Sequence, residues 1–597
     1  MDERQPGAGL PKPSRHPALA LNPAGGRPGY ARPAHQWPFR LSAAFEPSPD
    51  VKTYVDVSTP LAQYELACRG DLGCRRRRRR HRGGPAENQP GKATIHGKTD
   101  ALRESSPSSQ GIDSRRITAF LDALEAEPGI EPHSLMILRH GSVVAQGWWA
   151  PYTADRRQLL YSLSKSFTAA AAAFACAEGR LRLDDPVVAY FPEFEAEITD
   201  PRSRRILVRH VLSMASGHRE EQWDDAVDRD PAEPVRGFLL SGPDGEPGSV
   251  FAYNQPCTFT VASIVQRAAG ERLVDYLRPR LFEPLGIGEV AWQEYERGRD
   301  LGFTGLHATT DAIARLGQLY LQRGVWNGVR LLPEEWVQQA TRAQVANGLD
   351  GGSDWSQGYG FQFWMSRHGF RGDGAYGQYC LILPEQDAVV AMTSQTADMQ
   401  RVLDLAWEHL LPAFDGEGPA AAGAETAEQA DASLARRLGE LALPPRTGAP
   451  APCEVADTAA ADGLVFSAEA DGAGQPVSRL HLEQSPDKSG DWNLVITEDP
   501  GRVDPSDAGY EDFPRGTLTL RLTPGGGWTV SAPDEIPTAV SGGWVDANTL
   551  GFDVLFLETP HSVHVTCDIA RGTVDSRFST VPLGTHTLTR LRAPRIA

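Results

Sequence analysis

The sequence predicts an α/β unit whose antiparallel sheet closes around a long helical region, followed by a separate all-β domain. Three patterns lead there. Apolar residues recur first at helical spacing, Ile117, Phe120, Leu121 and Leu124, and then in two strand-like runs, Ser134 to Arg139 and Val143 to Trp148, joined by His140-Gly141-Ser142. Strand character returns only after a mostly helical stretch, at Tyr359 to Met365, Tyr379 to Leu383 and Ala388 to Thr393. Beyond about Leu441, short β-prone runs alternate with Gly, Pro and Asp, the spacing of a sandwich or barrel.

The elements follow in order. Residues 1–110 are rich in Pro, Gly, Arg and Ser without sustained periodicity, and are expected to be disordered. Residues 1–100 hold 17 Lys and Arg against 9 Asp and Glu, with Arg75 to Arg80 and Arg82 dominating. This tract reads as a solvated tail. Within it, Gly91 to Gly97-Lys98-Thr99 resembles a phosphate loop, but five residues instead of four separate the glycines and no apolar strand leads in. Order is expected from 111. Between the hairpin and Leu332, helices are predicted at Ile206 to Ala215, Thr258 to Ala269, Leu273 to Leu281 and Thr309 to Arg323, with Pro333 to Thr341 next and a last one from Met399 to Leu411. Residues 416–435 read as a linker. Residues 436–597 form the all-β domain, with strands at Arg479 to Leu482, Trp492 to Thr497, Thr517 to Thr523, Trp528 to Ala532, Thr549 to Leu557 and Ser562 to Ile569.

Composition excludes several classes of function. The chain of 597 residues carries a net charge of -18, and the body after residue 100 is more acidic still, so no nucleic acid is expected as a partner of the folded part. No run of about twenty apolar residues appears, so no membrane span is expected. No basic-then-apolar leader follows Met1, and a cytoplasmic location is the expectation. Seven scattered cysteines without Cys-x-x-Cys pairs argue against a disulfide framework or a zinc site; no metal and no cofactor is expected.

The chemistry concentrates in Ser162-Leu163-Ser164-Lys165, which opens the apolar run Ser166 to Ala175. Positions i and i+3 share a helix face, so Lys165 Nζ reaches Ser162 Oγ. The helix N-terminus favours an incipient alkoxide, and burial makes a lysine neutral enough to take a proton. Tyr253-Asn254-Gln255 is the candidate for a second acid/base, with the phenol pKa expected to be drawn down by a charged lysine. Gly372 to Gln378 leads into an apolar strand with the glycines that a close backbone approach requires.

In their order along residues 112 to 412, these segments resemble the serine β-lactamase-like family, in its class C, esterase and penicillin-binding-protein branch. The likeness rests on Leu160 to Thr168, Glu178 to Val187, Val208 to His218, Pro279 to Ile287 and Thr309 to Gly317. It implies a β-lactamase/transpeptidase-like domain over 111–415: an antiparallel sheet flanked by helices plus an all-helical region. It implies Ser162 as the acylated nucleophile, Lys165 as its partner and Tyr253 as the tyrosine of the Tyr-x-Asn element, with Gln255 at the Asn position. Ala375-Tyr376-Gly377 aligns with the Lys-Thr-Gly element, which makes Tyr376 and Gly377 substrate-binding candidates and gives the oxyanion the N–H groups of Ser162 and Gln378. Neither Lys nor His stands at 375. A charge-assisted hydrogen bond is worth roughly 1.5–3 kcal/mol, so recognition of a substrate carboxylate is weakened. Hydrolysis of carboxylic esters or small amides through an acyl-enzyme is therefore expected. A D-amino-acid peptidase or amidase, a β-lactamase and a catalytically eroded binding protein are the alternatives.

Overall fold

The computed structural model describes residues 101–348, 352–416, 425–455, 463–469, 475–485, 490–498, 516–583 and 587–595. The basic N-terminal tract to residue 100, its near-miss phosphate loop and linker positions 417–424 lie outside them.

The first domain is built on a seven-stranded sheet. Its strands are β1 (Arg103–Glu104), β2 (Ile130–Arg139), β3 (Ser142–Trp148), β4 (Trp364–Met365), β5 (Phe370–Gly374), β6 (Gln378–Leu383) and β7 (Ala388–Thr396), in the spatial order β1-β3-β2-β7-β6-β5-β4. All neighbours are antiparallel except the short edge pair β1–β3. Thus β2, from the start of the domain, lies beside β7 from its end, with Ile137 opposite Val390. The helical region is inserted between β3 and β4.

Both faces of the sheet are covered, and the two-residue period decides which side chain goes where. Met136, Leu138, Cys380, Ile382, Val389 and Ala391 pack on one face with α2 (Ser164–Ala177), α3 (Gln255–Ala269) and α4 (Thr310–Leu321). Leu135, Ile137, Tyr379, Leu381, Val390 and Met392 face the other way, against α1 (Ser114–Ala126), α5 (Met399–Leu405) and α6 (Ala427–Gly439). Helix α2 is the innermost element: every residue from Ser164 to Ala175 is buried. Alanines at 169–173 permit this, because a helix enclosed on all sides needs short side chains for its neighbours to approach.

Among the described residues the C-terminal domain is one nine-stranded sheet, β8 (Leu464–Ser467), β9 (Arg479–Gln484), β10 (Trp492–Thr497), β11 (Thr517–Leu522), β12 (Thr529–Ser531), β13 (Thr538–Trp544), β14 (Thr549–Phe556), β15 (His561–Asp568) and β16 (Thr573–Phe578). The order β11-β10-β9-β8-β16-β15-β14-β13-β12 curls until β11 lies against β12 and β13, so the sheet nearly closes. Alternate residues, among them Leu480, Leu482, Leu494, Ile496, Leu518, Leu520, Phe552 and Val563, fill its interior. Leu555 and Leu557 instead join the core beneath the first sheet, making the two domains continuous there.

Three local differences from the sequence reading have physical causes. Residues 427–439, within and beyond the expected linker, form α6: Thr426 and Gln429 make a capping box, and Ala430 and Leu434 are buried. Tyr359 to Met365 is not one strand, because Gln362 takes φ +61 and donates to Leu212 O at 2.8 Å. Strand β5 carries Arg-Gly-Asp-Gly, a run poor in β-formers, and is held by its ladder to β6. Among the described residues, no helix is long and apolar enough to cross a membrane.

Candidate active site

Ser162 sits in the tight turn Tyr161–Leu163 that runs directly into α2, and it is only half-buried. Lys165, one turn on, is 1 % exposed. Its Nζ donates to Ser162 Oγ at 2.9 Å, to Gln255 Oε1 at 2.7 Å and to Phe303 O at 2.8 Å. Three acceptors match the three N–H bonds of an ammonium. When the proton leaves, Gln255 and Phe303 hold the two remaining N–H bonds, and the lone pair is left facing Ser162. Burial is the main reason that the lysine pKa falls to about 7, against the opposing pull of the Glu221 and Asp373 carboxylates. Half of Lys165 is therefore neutral near pH 7.

Tyr253 stands on the loop entering α3. Its ring stacks on Trp364 with centroids 5.0 Å apart, and Lys165 Nζ lies 4.9 Å from the centre of the Tyr253 ring. Its pKa is raised, first by burial and then by Asp373, while hydrogen bonds from Ser162 and Trp364 act the other way. This reverses the expectation that a charged lysine draws it down: burial of the phenol itself dominates. Tyr253 is a protonated phenol throughout the neutral range.

Gln255, in the place of the family's Asn, supplies the lysine's second acceptor. Its own N–H donates to Glu221 Oε1 at 3.1 Å, and Trp223 N donates to the same oxygen at 3.0 Å. Glu221 opens to solvent on one side, yet enough protein surrounds its carboxyl to push the pKa to about 7.

The third element lies along β5. A Cβ on Gly374 would stand 2.0 Å from Leu160 O and 3.1 Å from Leu163 N, and one on Gly372 would stand 2.6 Å from Ser166 Oγ. Glycine is needed because the strand passes directly against the turn that carries Ser162. Gly377 has φ +90, and its α-carbon instead faces Ser394 Oγ. The Gln378 side chain donates to Ala375 O at 3.2 Å and Ser394 O at 2.8 Å, and the Tyr376 phenol donates to Val581 O. The structure thus gathers Ser162, Lys165, Tyr253 and Gln255 into one cluster, while the side chains of Tyr376 and Gln378 are engaged elsewhere.

Arg371, a candidate replacement for the missing cation, is fully buried. Its Nε donates to Asp373 Oδ2 at 2.8 Å, and its guanidinium lies 4.5 Å from the centre of the Trp355 ring. The His368 ring lies tilted against Trp407, with centroids 5.0 Å apart. Phe303, Glu221 and Asp373 were not singled out by the sequence. A backbone carbonyl such as that of Phe303 has no residue-type signal. The glycines flanking Asp373 were the one available sign of its strand's close approach.

The chain is 28% identical over 289 residues to the 6-aminohexanoate-dimer hydrolase of Paenarthrobacter ureafaciens, a match covering 44% of this chain and 73% of that one. It is 32% identical over 169 residues to the D-aminopeptidase of Brucella anthropi, covering 25% of this chain and 31% of that one. Esterase EstB of Burkholderia gladioli is 25% identical over 220 residues, covering 32% and 56% respectively. All three names are those of hydrolases. Residues 117–415 match the family model described as Beta-lactamase. That match takes in half of the chain, with Ser162, Lys165, Tyr253 and Gln255 inside it, and the chain belongs to the Beta-lactamase family.

Proposed function

We propose that this protein is a serine hydrolase that acts through an acyl-enzyme on Ser162, with carboxylic esters or small amides as substrates. The observation that carries the reading is the triple hydrogen bond of Lys165 to Ser162, Gln255 and Phe303, combined with a lysine pKa of about 7. Neutral Lys165 takes the Ser162 proton as Oγ attacks the carbonyl carbon. The tetrahedral oxyanion is received by the N–H of Ser162 and that of Ala375, which follows the close approach at Gly374; Gln378 N–H is the donor suggested by family likeness. Collapse breaks the bond to the leaving group, which takes a proton from the Tyr253 phenol, and Lys165 ammonium restores that proton. Water then attacks the acyl carbon as neutral Lys165 takes one of its protons; collapse breaks the acyl–Oγ bond, and the Lys165 ammonium returns that proton to Ser162 Oγ as the acid leaves.

A second reading, an amidase for substrates bearing a free ammonium, is favoured by Glu221, whose carboxylate opens to solvent beside Gln255 and Lys165. A β-lactam or other carboxylate-bearing substrate is disfavoured, because β5 brings Asp373 to the site and keeps Arg371 buried beneath it. A panel of p-nitrophenyl esters, D-aminoacyl amides and a chromogenic cephalosporin distinguishes these readings. Turnover of the esters above the other two supports the first. Fluorophosphonate labelling that is unchanged in Ser162→Ala removes the nucleophile assignment, and no labelling of the wild type favours a non-catalytic binder.

A further inference from the structure

Two tyrosines with left-handed backbone flank the candidate site. Tyr161, with φ +47, immediately precedes Ser162, and Tyr376, with φ +66, lies in the turn between β5 and β6. An L-residue holds this conformation only where its surroundings over-determine it. Both phenols reach into the C-terminal β domain. Tyr376 donates to Val581 O. Tyr161 Oη lies 2.5 Å from Nε2 of His561, a fully buried residue at the start of β15. The far side of that imidazole fixes its tautomer: Nδ1 lies 2.8 Å from Thr580 O and so carries the hydrogen. Nε2 is then the acceptor and the Tyr161 hydroxyl the donor. The rings of Tyr161, Tyr376 and His561 form an edge-to-face triangle with centroids 5.3–5.8 Å apart. Beside it Leu583 packs on Leu159, Tyr161 and Tyr376. Two further bonds lock the same seam, Leu159 N to Glu558 O at 2.8 Å and Gln158 Nε2 to Leu557 O at 2.6 Å.

We propose that the C-terminal β domain is a working part of the hydrolase site. Through His561 and residues 580–583 it holds the strained turn that presents Ser162, and with Leu583 it supplies an apolar wall next to the serine. His561 is a positioning residue, acting through Tyr161. The inference rests on Ser162 being the nucleophile.

The test compares Tyr161→Phe, His561→Phe, His561→Gln and the Tyr161→Phe/His561→Phe pair in the full chain. It measures fluorophosphonate acylation rate, kcat and KM on a p-nitrophenyl ester, and thermal unfolding. A displaced nucleophile reacts slowly even when substrate binds normally, so each Phe variant is expected to lose roughly tenfold or more in acylation rate and kcat. KM and Tm should stay near wild type. The pair should be no worse than the poorer single, because coupled residues are not additive. His561→Gln keeps an acceptor and should recover part of the rate. Rates within twofold of wild type in both Phe variants, or losses that multiply in the pair, overturn the proposal. If His561→Phe does not fold, Tyr161→Phe, which removes one oxygen, decides alone. Labelling that persists in Ser162→Ala overturns the nucleophile reading and this inference with it; Ser162-dependent labelling that is indifferent to Tyr161→Phe overturns this inference only.

Discussion

Gln255 Oε1 accepts a hydrogen bond from Lys165 Nζ at 2.7 Å, joining two residues 90 positions apart in the chain. One amide oxygen thereby helps to set where the lysine lone pair points. Gln255→Leu removes an acceptor that favours the ammonium, so the lysine pKa falls further and its amine loses direction. The expected result is a loss in kcat of about tenfold, the size of one hydrogen bond to a charged group, with the acid limb of the pH–rate profile moved to lower pH.

The wild-type acylation rate should rise through about pH 7 as Lys165 loses its proton. Glu221 raises the lysine pKa from nearby. Glu221→Gln therefore shifts this limb downward, and stopped-flow acylation between pH 5 and 9 measures it. An unchanged limb in Glu221→Gln would refute the electrostatic link between the two groups.

Stability carries the opposite signature on either side of neutrality. Lys165 binds a proton less tightly when folded, with a pKa of about 7 against 10.5, so its contribution makes the fold more stable as pH rises through that window. Glu221 binds its proton more tightly when folded, about 7 against 4.5, so its contribution falls as pH rises from 4.5 to 7. Lys165→Met should accordingly gain most over wild type near pH 7 and lose that advantage toward pH 10 in urea unfolding. Activity should meanwhile drop by about 10⁴-fold or more, as for other members of a catalytic unit.

The Arg371–Asp373 pair is buried on both sides, with side chains 0% and 5% exposed. Arg371→Met strands a buried carboxylate and should cost about 3–5 kcal/mol in urea unfolding. Adding Asp373→Asn should return much of it, since the uncompensated charge is then gone.

Gly374→Ala places a methyl 2.0 Å from Leu160 O, at the turn carrying Ser162. Acylation should fall by about 10²-fold, the effect of a displacement near 1 Å in the reacting geometry, with far-UV circular dichroism preserved.

Local pattern determined much of this protein. Helical periodicity in Ile117 to Leu124, the alternation in the flanking strands and the Ser-x-x-Lys spacing act over a few residues, and so they are visible without the fold. The same holds for the tight turns and β-rich runs of the C-terminal domain. Tertiary structure decided what depends on distant chain segments meeting. It brought Phe303 O and Gln255 to the lysine, drew Asp373 and Glu221 beside it, and turned the Tyr253 pKa upward through burial. It also decided which glycine passes the nucleophile, Gly374, since only the pairing of β5 with β6 and its packing on α2 sets that register. The contact of Tyr161 with His561, 400 residues away, belongs to the same class. No local spacing encodes it, because it exists only once two separately patterned domains have packed together.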